Sequence, residues 1–387
     1  MIMKALLVHS DLRQCGGAED YANAFKRALD ANGWETSILD VNGLFQDDRL
    51  IKDSAFLRLF RTFPPFKSLS LLKYAAVCRY MRVLRMDHDL VVYTYGEGPK
   101  TACKTVRIMH CPALFSTLTE MLSYLGVDGT KKISLLGRKI YAWICRMIAA
   151  PSIADDPETI TVTNSEWTRG IVSRVWGIRN THVLYPRVEL DLDADTALQK
   201  KNRFSFICLG RIVPNKRLED AITIIDRLRE RGYDCTLDIV GRANTRYAQE
   251  LAQICRRHPA VNLHPDASDP QKTALIAKAQ FGLHCYRNEH FGIAVAEMLM
   301  LGCIPIVFNG GGVTELVEGV RQRYADLDEA VNNISQLLEL PEDELQSLSE
   351  AQKDNRALAR AVQFDNEIAE LIHAISSDLN ARHFRTA

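Results

Sequence analysis

Apolar residues in this chain fall in short continuous runs separated by amphipathic stretches. Ala5-Leu6-Leu7-Val8 is apolar at every position, the pattern of a parallel strand buried on both faces. A loop ending in Gly16-Gly17 follows. Next come a helical stretch over 18–29, closed by Gly33, and a strand over 35–39. This is a βαβ unit with glycines at its helix start. Further strands are expected at 90–93, 105–109, 159–162 and 182–185, with a helix over 166–176. Residues 189–203 are polar and charged and read as a linker. A second series then begins, with strands at 204–209, 235–240, 261–263, 281–285 and 304–307. Helices are expected at 218–231, 247–257, 271–279 and 293–301. Strands alternating with helices imply parallel sheets. The chain therefore reads as two α/β domains of Rossmann type, 1–188 and 189–363. A last helix over 366–379 carries Ile368, Leu371, Ile372 and Ile375 on one stripe.

Two segments of the first half depart from this pattern. Residues 51–85 hold eight basic side chains against the single acid Asp53, with Phe56, Phe60, Phe63 and Phe66 between them. Residues 131–147 form a second basic, apolar helix with Lys131, Lys132, Arg138, Lys139, Arg146 and Trp143. Such segments suit an anionic membrane surface, apolar face down and cations on lipid headgroups. They read equally as ordinary helices with Lys and Arg in water.

Composition narrows the class. With 387 residues, 47% hydrophobic and 25% charged, the chain is globular. No apolar run approaches the ~20 residues of a membrane span. The N-terminal run lacks the basic start and cleavage site of a signal peptide. Net charge is zero, but residues 1–190 carry 25 basic and 19 acidic side chains and residues 191–387 carry 23 and 29. That balance excludes bulk nucleic-acid binding. The ten cysteines form no Cys-x-x-Cys pair, which favours a reduced, cytoplasmic setting without a zinc site.

Four segments carry candidate chemistry. Glu289 and Glu297 stand eight residues apart, one on a loop and one two turns into a helix. Gly292 lets a ligand approach between them. The amides of Phe291, Gly292 and Ile293 at the helix start suit an anion. Arg211 and Lys216 lie five residues apart on a strand-to-helix loop, where two cations can neutralise a diphosphate. Gly16-Gly17 sits on a similar loop but lacks the spacing of a dinucleotide fingerprint. His110 follows a strand at the end where α/β proteins bind ligands. Taken singly, each also reads blandly, as a surface loop, a solvated basic turn, a tight turn and a structural histidine.

In this order the set resembles the retaining glycosyltransferases of family 4, which have the GT-B fold of two Rossmann-like domains facing across a cleft. Carrying the resemblance are the Gly-Gly-Ala-Glu opening, His110-Cys111-Pro112, Asn164-Ser165-Glu166-Trp167-Thr168, Leu184-Tyr185-Pro186, the Gly-Arg…Lys loop, Glu289-His290-Phe291-Gly292-Ile293 with Glu297, and Gly310-Gly311-Gly312. They are most similar to mannosyltransferases that extend lipid-linked oligosaccharides. Arg187 departs from that branch, which has a second proline there.

The resemblance implies a nucleotide-diphospho-sugar donor, GDP-mannose favoured, and a glycan acceptor, lipid-linked. Arg211 and Lys216 would hold the diphosphate, assisted by the backbone of Phe291, Gly292 and Ile293. Glu297 would take the ribose hydroxyls and Glu289 the sugar hydroxyls. Gly16 and Gly17 would approach the diphosphate, and His110 would lie near sugar and acceptor. The base would pack near Gly241, Arg242, Asp266 and Ala267. The final helix, about 364–387, would cross back to the first domain. No cofactor or metal is implied, and the site would be cytoplasmic, peripheral on a membrane's inner face.

Competing readings remain. A metal-dependent GT-A enzyme would use Asp-x-Asp after a strand, but Asp87-His88-Asp89, Asp191-Leu192-Asp193 and Asp326-Leu327-Asp328 read as turns or linkers. A dehydrogenase lacks its complete glycine fingerprint here. A UDP-sugar transferase with a soluble acceptor and a non-catalytic sugar-nucleotide module of the same fold stay open.

Overall fold

The computed structural model describes residues 2–13, 16–46, 55–62, 69–82, 84, 86–110, 114, 132–152, 156–190, 200–351 and 355–386. They form two compact units. The first runs to Arg187 and resumes at Gln363, and the second holds Val188–Val362.

The first unit is built on six parallel strands: β1 (Lys4–Val8), β2 (Glu35–Leu39), β3 (Leu90–Tyr93), β4 (Lys104–Met109), β5 (Thr159–Thr163) and β6 (Thr181–Val183), in the order β2-β1-β3-β4-β5-β6. Strand periodicity divides its core. Leu6, Val8, Val91 and Tyr93 face one side with Tyr74 and Val77 of helix Ser70–Met81. Ala5, Leu7, Leu90 and Val92 face the other with Phe25 of helix Gly17–Ala31. Onto that second side packs the C-terminal helix, Phe364–Thr386, through Phe364, Ile368, Ile372, Ile375 and Leu379. Trp34 Nε1 donates to Ser376 Oγ at 3.2 Å, and Lys104 pairs with Asp378 at 2.8 Å. Arg187, the departure noted above, pairs with Asp365 of the same helix at 3.1 Å.

The second unit has strands β7 (Asn202–Leu209), β8 (Thr236–Gly241), β9 (Val261–Pro265), β10 (Ala279–His284), β11 (Ile304–Phe308) and β12 (Arg323–Tyr324), all parallel in the order β12-β11-β10-β7-β8-β9. Phe206 of β7 and Phe281 of β10 are register partners, and their rings stack at 5.1 Å.

Three expectations change. Asn202 and Arg203 belong to β7 rather than to a linker, because Asn202 pairs with Ala279 of β10; the Arg203 side chain donates to the carbonyls of Leu338 and Leu340 and to Glu342. Residues 191–199 of that linker lie outside the described residues. Strand β6 stops at Val183 and not at 185, although Leu184 N still donates to Thr163 O at 2.9 Å. Strand β12 and helices Leu327–Leu338, Glu342–Ala351 and Arg356–Val362 fill a stretch for which the apolar pattern had offered no element.

The basic segments separate in character. Phe60 has no exposed surface, Lys73 is paired with Asp11 at 3.0 Å, and helix Ser70–Met81 is mostly buried. These parts of 51–85 cannot lie in a headgroup layer. Phe63, Phe66 and Lys67 lie outside the described residues, as do the side chains of Phe56 and Arg61. In helix Lys132–Ala149 the opposite holds. Ile140, Trp143, Ile144 and Met147 are 50%, 59%, 41% and 62% exposed along one stripe, with Lys139 exposed beside them. Ala142, Cys145 and Ala149 make the buried face. Among the described residues no helix is long and apolar enough to cross a membrane.

Candidate active site

Parallel strands place their C-terminal ends on one edge, and the loops leaving that edge carry the second unit's polar residues. After β7 the chain passes Gly210 at φ +138°. A Cβ on Gly241, at the end of β8, would stand 1.7 Å from the Gly210 carbonyl oxygen, so only glycine fits. Two backbone bonds tie these strand ends, Gly210 N to Val240 O at 3.0 Å and Ile212 N to Arg242 O at 2.9 Å. Arg211 projects from this junction, exposed and without an ion-pair partner among the described residues. A 3₁₀ turn, Pro214–Lys216, then carries Lys216 inward.

Lys216 meets the loop after β10. Its Nζ lies 2.6 Å from Oε2 of Glu289 and 4.8 Å from the Tyr286 ring centroid. His284, the last residue of β10, places Nε2 at 3.2 Å from the same oxygen, while Oε1 accepts from His290 N at 3.1 Å. Burial by itself would raise the Glu289 pKa. The Lys216 ammonium and then the His284 bond overcome it and hold the carboxyl well below its usual range. Burial pushes the His284 ring down, against Glu289, and takes His290 down to about 4. Both rings are therefore neutral at pH 7, and one lysine balances one carboxylate.

Backbone geometry fixes Glu289 as firmly as its side-chain partners do. Gly312 N donates to Glu289 O at 2.6 Å. Gly311 sits at φ +85°, and a Cβ there would be 2.3 Å from Glu289 O. The Gly310-Gly311-Gly312 motif thus exists to let one loop cross another closely. Gly292, at φ +102°, starts helix Ile293–Met300, and its own Cβ would meet Val313 at 2.9 Å. Val295 N and Ala296 N bond back to Gly292 O. The amides before them have no intrahelical acceptor and point out of the helix start. Phe291 is buried and anchors the turn.

Glu297, on the same helix, is not beside Glu289's partners. Its Oε1 accepts from Lys272 Nζ at 2.8 Å, and Lys272 also pairs with Asp269 at 3.3 Å. The loops after β8 and β9 are joined, with Asp266 N donating to Gly241 O at 2.9 Å and Ala243 N to Asp266 Oδ1 at 3.1 Å. Asp266 adopts φ +53°, and Ala267 is half-buried beside it.

In the first unit, Gly16 caps helix Gly17–Ala31, and a Cβ there would lie 2.9 Å from Glu19 Oε2. Glu19 stands 3.5 Å from Nε2 of the buried His9, whose Nδ1 is 2.8 Å from Thr94 Oγ1. Burial opposes ionisation of Glu19, but His9 and His110 lower its pKa overall. His110 follows β4 and meets Tyr21 edge-on at 5.0 Å. Cys111 and Pro112 lie outside the described residues. The Asn-Ser-x-Trp-Thr segment is a helix cap: Ser165 Oγ accepts from Thr168 N at 3.0 Å.

Lys272, His284 and His9 are not among the candidates the sequence offers, and Glu19 enters there only as the end of the Gly-Gly-Ala-Glu opening. His284 carries the signal that marked His110, a polar residue closing a buried strand. Lys272 shows none, since its partner lies 25 positions away on another helix. No group of three His, Cys, Asp or Glu side chains among the described residues is placed to hold a metal ion.

Residues 192–355 match the family model of the glycosyl transferases group 1. That stretch covers nearly all of the second unit. A GDP-Man:Man(3)GlcNAc(2)-PP-Dol alpha-1,2-mannosyltransferase of Neurospora crassa is 25% identical over 249 residues, covering 54% of this chain and 44% of that protein. The mouse alpha-1,3/1,6-mannosyltransferase ALG2 is 27% identical over 186 residues, covering 40% and 43%. The chain thus spans less than half the length of either relative. Among solved structures, Anabaena HepE in complex with UDP-glucose superposes with a TM-score of 0.60 at 16% identity, covering 96% of this chain and all of that one. Two Rossmann-like α/β units of the GT-B type, the expected fold class, are the architecture of this chain.

Proposed function

We propose that the protein is a retaining glycosyltransferase that moves mannose from GDP-mannose to a hydroxyl of a lipid-linked glycan. The observation that carries this reading is the Lys216–Glu289 pair beside the start of helix Ile293–Met300, with Glu297 farther along that helix. A cation, a helix N-terminus and two carboxylates in that order match a donor with diphosphate, sugar and ribose. The name of the Neurospora crassa relative supplies the guanine nucleotide, the mannose and the lipid-linked acceptor, and that of mouse ALG2 the mannose.

In this reading Arg211 and Lys216 bind the diphosphate, and the amides of Phe291, Gly292 and Ile293 assist. Glu289 accepts bonds from sugar hydroxyls, and Glu297 from the ribose. The bond between the anomeric carbon and the diphosphate oxygen breaks, and the acceptor oxygen bonds that carbon on the same face. The acceptor proton passes to the departing diphosphate. Negative charge grows on the leaving group, where fixed positive groups stabilise it most. No metal is invoked in this reading: Arg211, Lys216 and the helix end face the phosphates. The acceptor belongs to the first unit, with His110 following strand β4; Gly16 and Gly17 keep the diphosphate role the resemblance gives them. Base contacts come from the joined loops at Gly241, Arg242, Asp266 and Ala267.

The exposed stripe on helix Lys132–Ala149 gives that acceptor a setting. Its sequence holds no acid, so it suits the anionic cytoplasmic face of a membrane. The test of function is a donor screen in the presence of EDTA. GDP-mannose should be hydrolysed or transferred in preference to UDP-glucose, UDP-galactose and UDP-N-acetylglucosamine. Turnover of a UDP-sugar alone would replace the donor, and restoration only by Mn²⁺ or Mg²⁺ would replace the mechanism.

A further inference from the structure

Glu297 sits in the middle of helix Ile293–Met300 with its side chain 14% exposed. One oxygen is taken: Lys272 Nζ lies 2.8 Å from Oε1. The same ammonium is held from its own helix by Asp269 Oδ1 at 3.3 Å. Oε2 of Glu297 has no protein partner among the described residues. The base from which Lys272 reaches out is firm. Helix Asp269–Lys278 starts in a capping box between Ser268 and Gln271, and Thr273 Oγ1 donates to Asp269 O at 2.8 Å. Burial disfavours the charged lysine, yet Glu297 raises its pKa, so the ammonium persists.

We propose that Lys272 is a positioning residue for nucleotide recognition, holding one oxygen of Glu297 so that the other faces the ribose diol of the donor. The inference rests on the assignment of Glu297 to the ribose made above. An unpinned glutamate samples several rotamers and must give them up when the diol binds. A pinned one has already lost that freedom. Lys272 therefore acts only on the part of the affinity that comes from the diol.

The test is calorimetric titration of the full chain with a nucleoside diphosphate and with its 2′,3′-dideoxy form, using GDP or UDP as the donor screen dictates. In the wild type the ribose form should bind about tenfold or more tightly, the worth of charge-assisted hydrogen bonds. K272M should shrink that ratio to about two- to threefold while leaving dideoxy affinity nearly unchanged, and K272R should restore it. K272Q repeats the measurement should K272M not fold. E297A should abolish the ratio. A ratio kept in K272M or K272Q but lost in E297A overturns the role of Lys272 alone. A ratio kept in E297A, or no binding of either nucleotide to the wild type, overturns the reading of Glu297 beneath it.

Discussion

The ammonium of Lys216 and the carboxylate of Glu289 lie 2.6 Å apart although 73 residues separate them in the chain. Each is mostly shielded, with side chains 18% and 16% exposed. An ion pair so placed is strong only when neighbouring groups complete its hydrogen bonding. His284 and the His290 amide do so on the glutamate side. The lysine has spare N–H groups, and an incoming phosphate would meet a cation whose position is already set.

That arrangement separates the two cations of the clamp. Arg211→Ala removes an exposed side chain and should weaken nucleoside diphosphate binding by roughly ten- to a hundredfold, with the melting temperature unchanged. Lys216→Ala should show the same loss of affinity and also lower stability by ~1–3 kcal/mol, because Glu289 is left unpaired. Titration calorimetry and denaturant unfolding measure the two effects. Unaltered affinity in both variants would remove the clamp from the mechanism.

The glutamates should differ in what they damage. Glu297→Ala is expected to weaken binding of the nucleoside diphosphate itself. Glu289→Gln is expected to spare that binding and reduce turnover, since it faces the sugar. Equal loss of nucleotide affinity in both would contradict the division.

Stability should fall with acid through three buried groups around Lys216 whose pKa values all lie below the ordinary ones, His290, His284 and Glu289. Burial takes the His290 ring from its ordinary 6.5 down to about 4 in the folded chain. The folded state then binds fewer protons between those values, so its stabilisation is complete above pH 6.5 and is lost as pH falls toward 4. The shift corresponds to about 3 kcal/mol. Glu289, held well below 4.5, adds a loss that begins below that value. Urea unfolding at pH 7 and pH 4.5 should differ accordingly, and His290→Asn should reduce the dependence, His284 keeping its own share. A His290→Asn chain with the wild-type slope would show that the ring does not titrate as its burial demands.

Gly241→Ala should destabilise the second unit by about 2–4 kcal/mol, because its Cβ would fall 1.7 Å from the Gly210 carbonyl oxygen. Gly137→Ala, where a Cβ meets nothing within 4 Å, is the control and should be neutral or stabilising. Thermal unfolding of the two variants decides the matter.

The chain should co-sediment with anionic liposomes at low salt and release at high salt. Trp143→Ser with Met147→Ser, on the exposed stripe, should reduce binding severalfold, whereas Arg58→Ser should have a smaller effect. Equal sedimentation with neutral and anionic vesicles would leave a soluble acceptor as the better reading.

Much of the architecture was local and therefore legible. The apolar runs of β1, β3, β7 and β11 mark strands buried on both faces. Gly16-Gly17 and Gly292 mark helix starts; Glu289, Arg211 and Lys216 stand on strand-to-helix loops of one unit, and Glu297 on the helix that follows Glu289. Which partner each charged group takes was not local. Lys216 reaches Glu289 and Lys272 reaches Glu297 only because parallel strands gather their C-terminal loops on one edge, and sequence distance says nothing about that gathering. The basic segment 51–85 shows the same limit from the other side. Its composition resembles a surface-seeking peptide, yet Phe60 is in the core and Lys73 is bound to Asp11. Periodicity states which residues share a helix face. Only the packing of helix against sheet decides whether that face meets a core, as in Ser70–Met81, or solvent, as at Trp143.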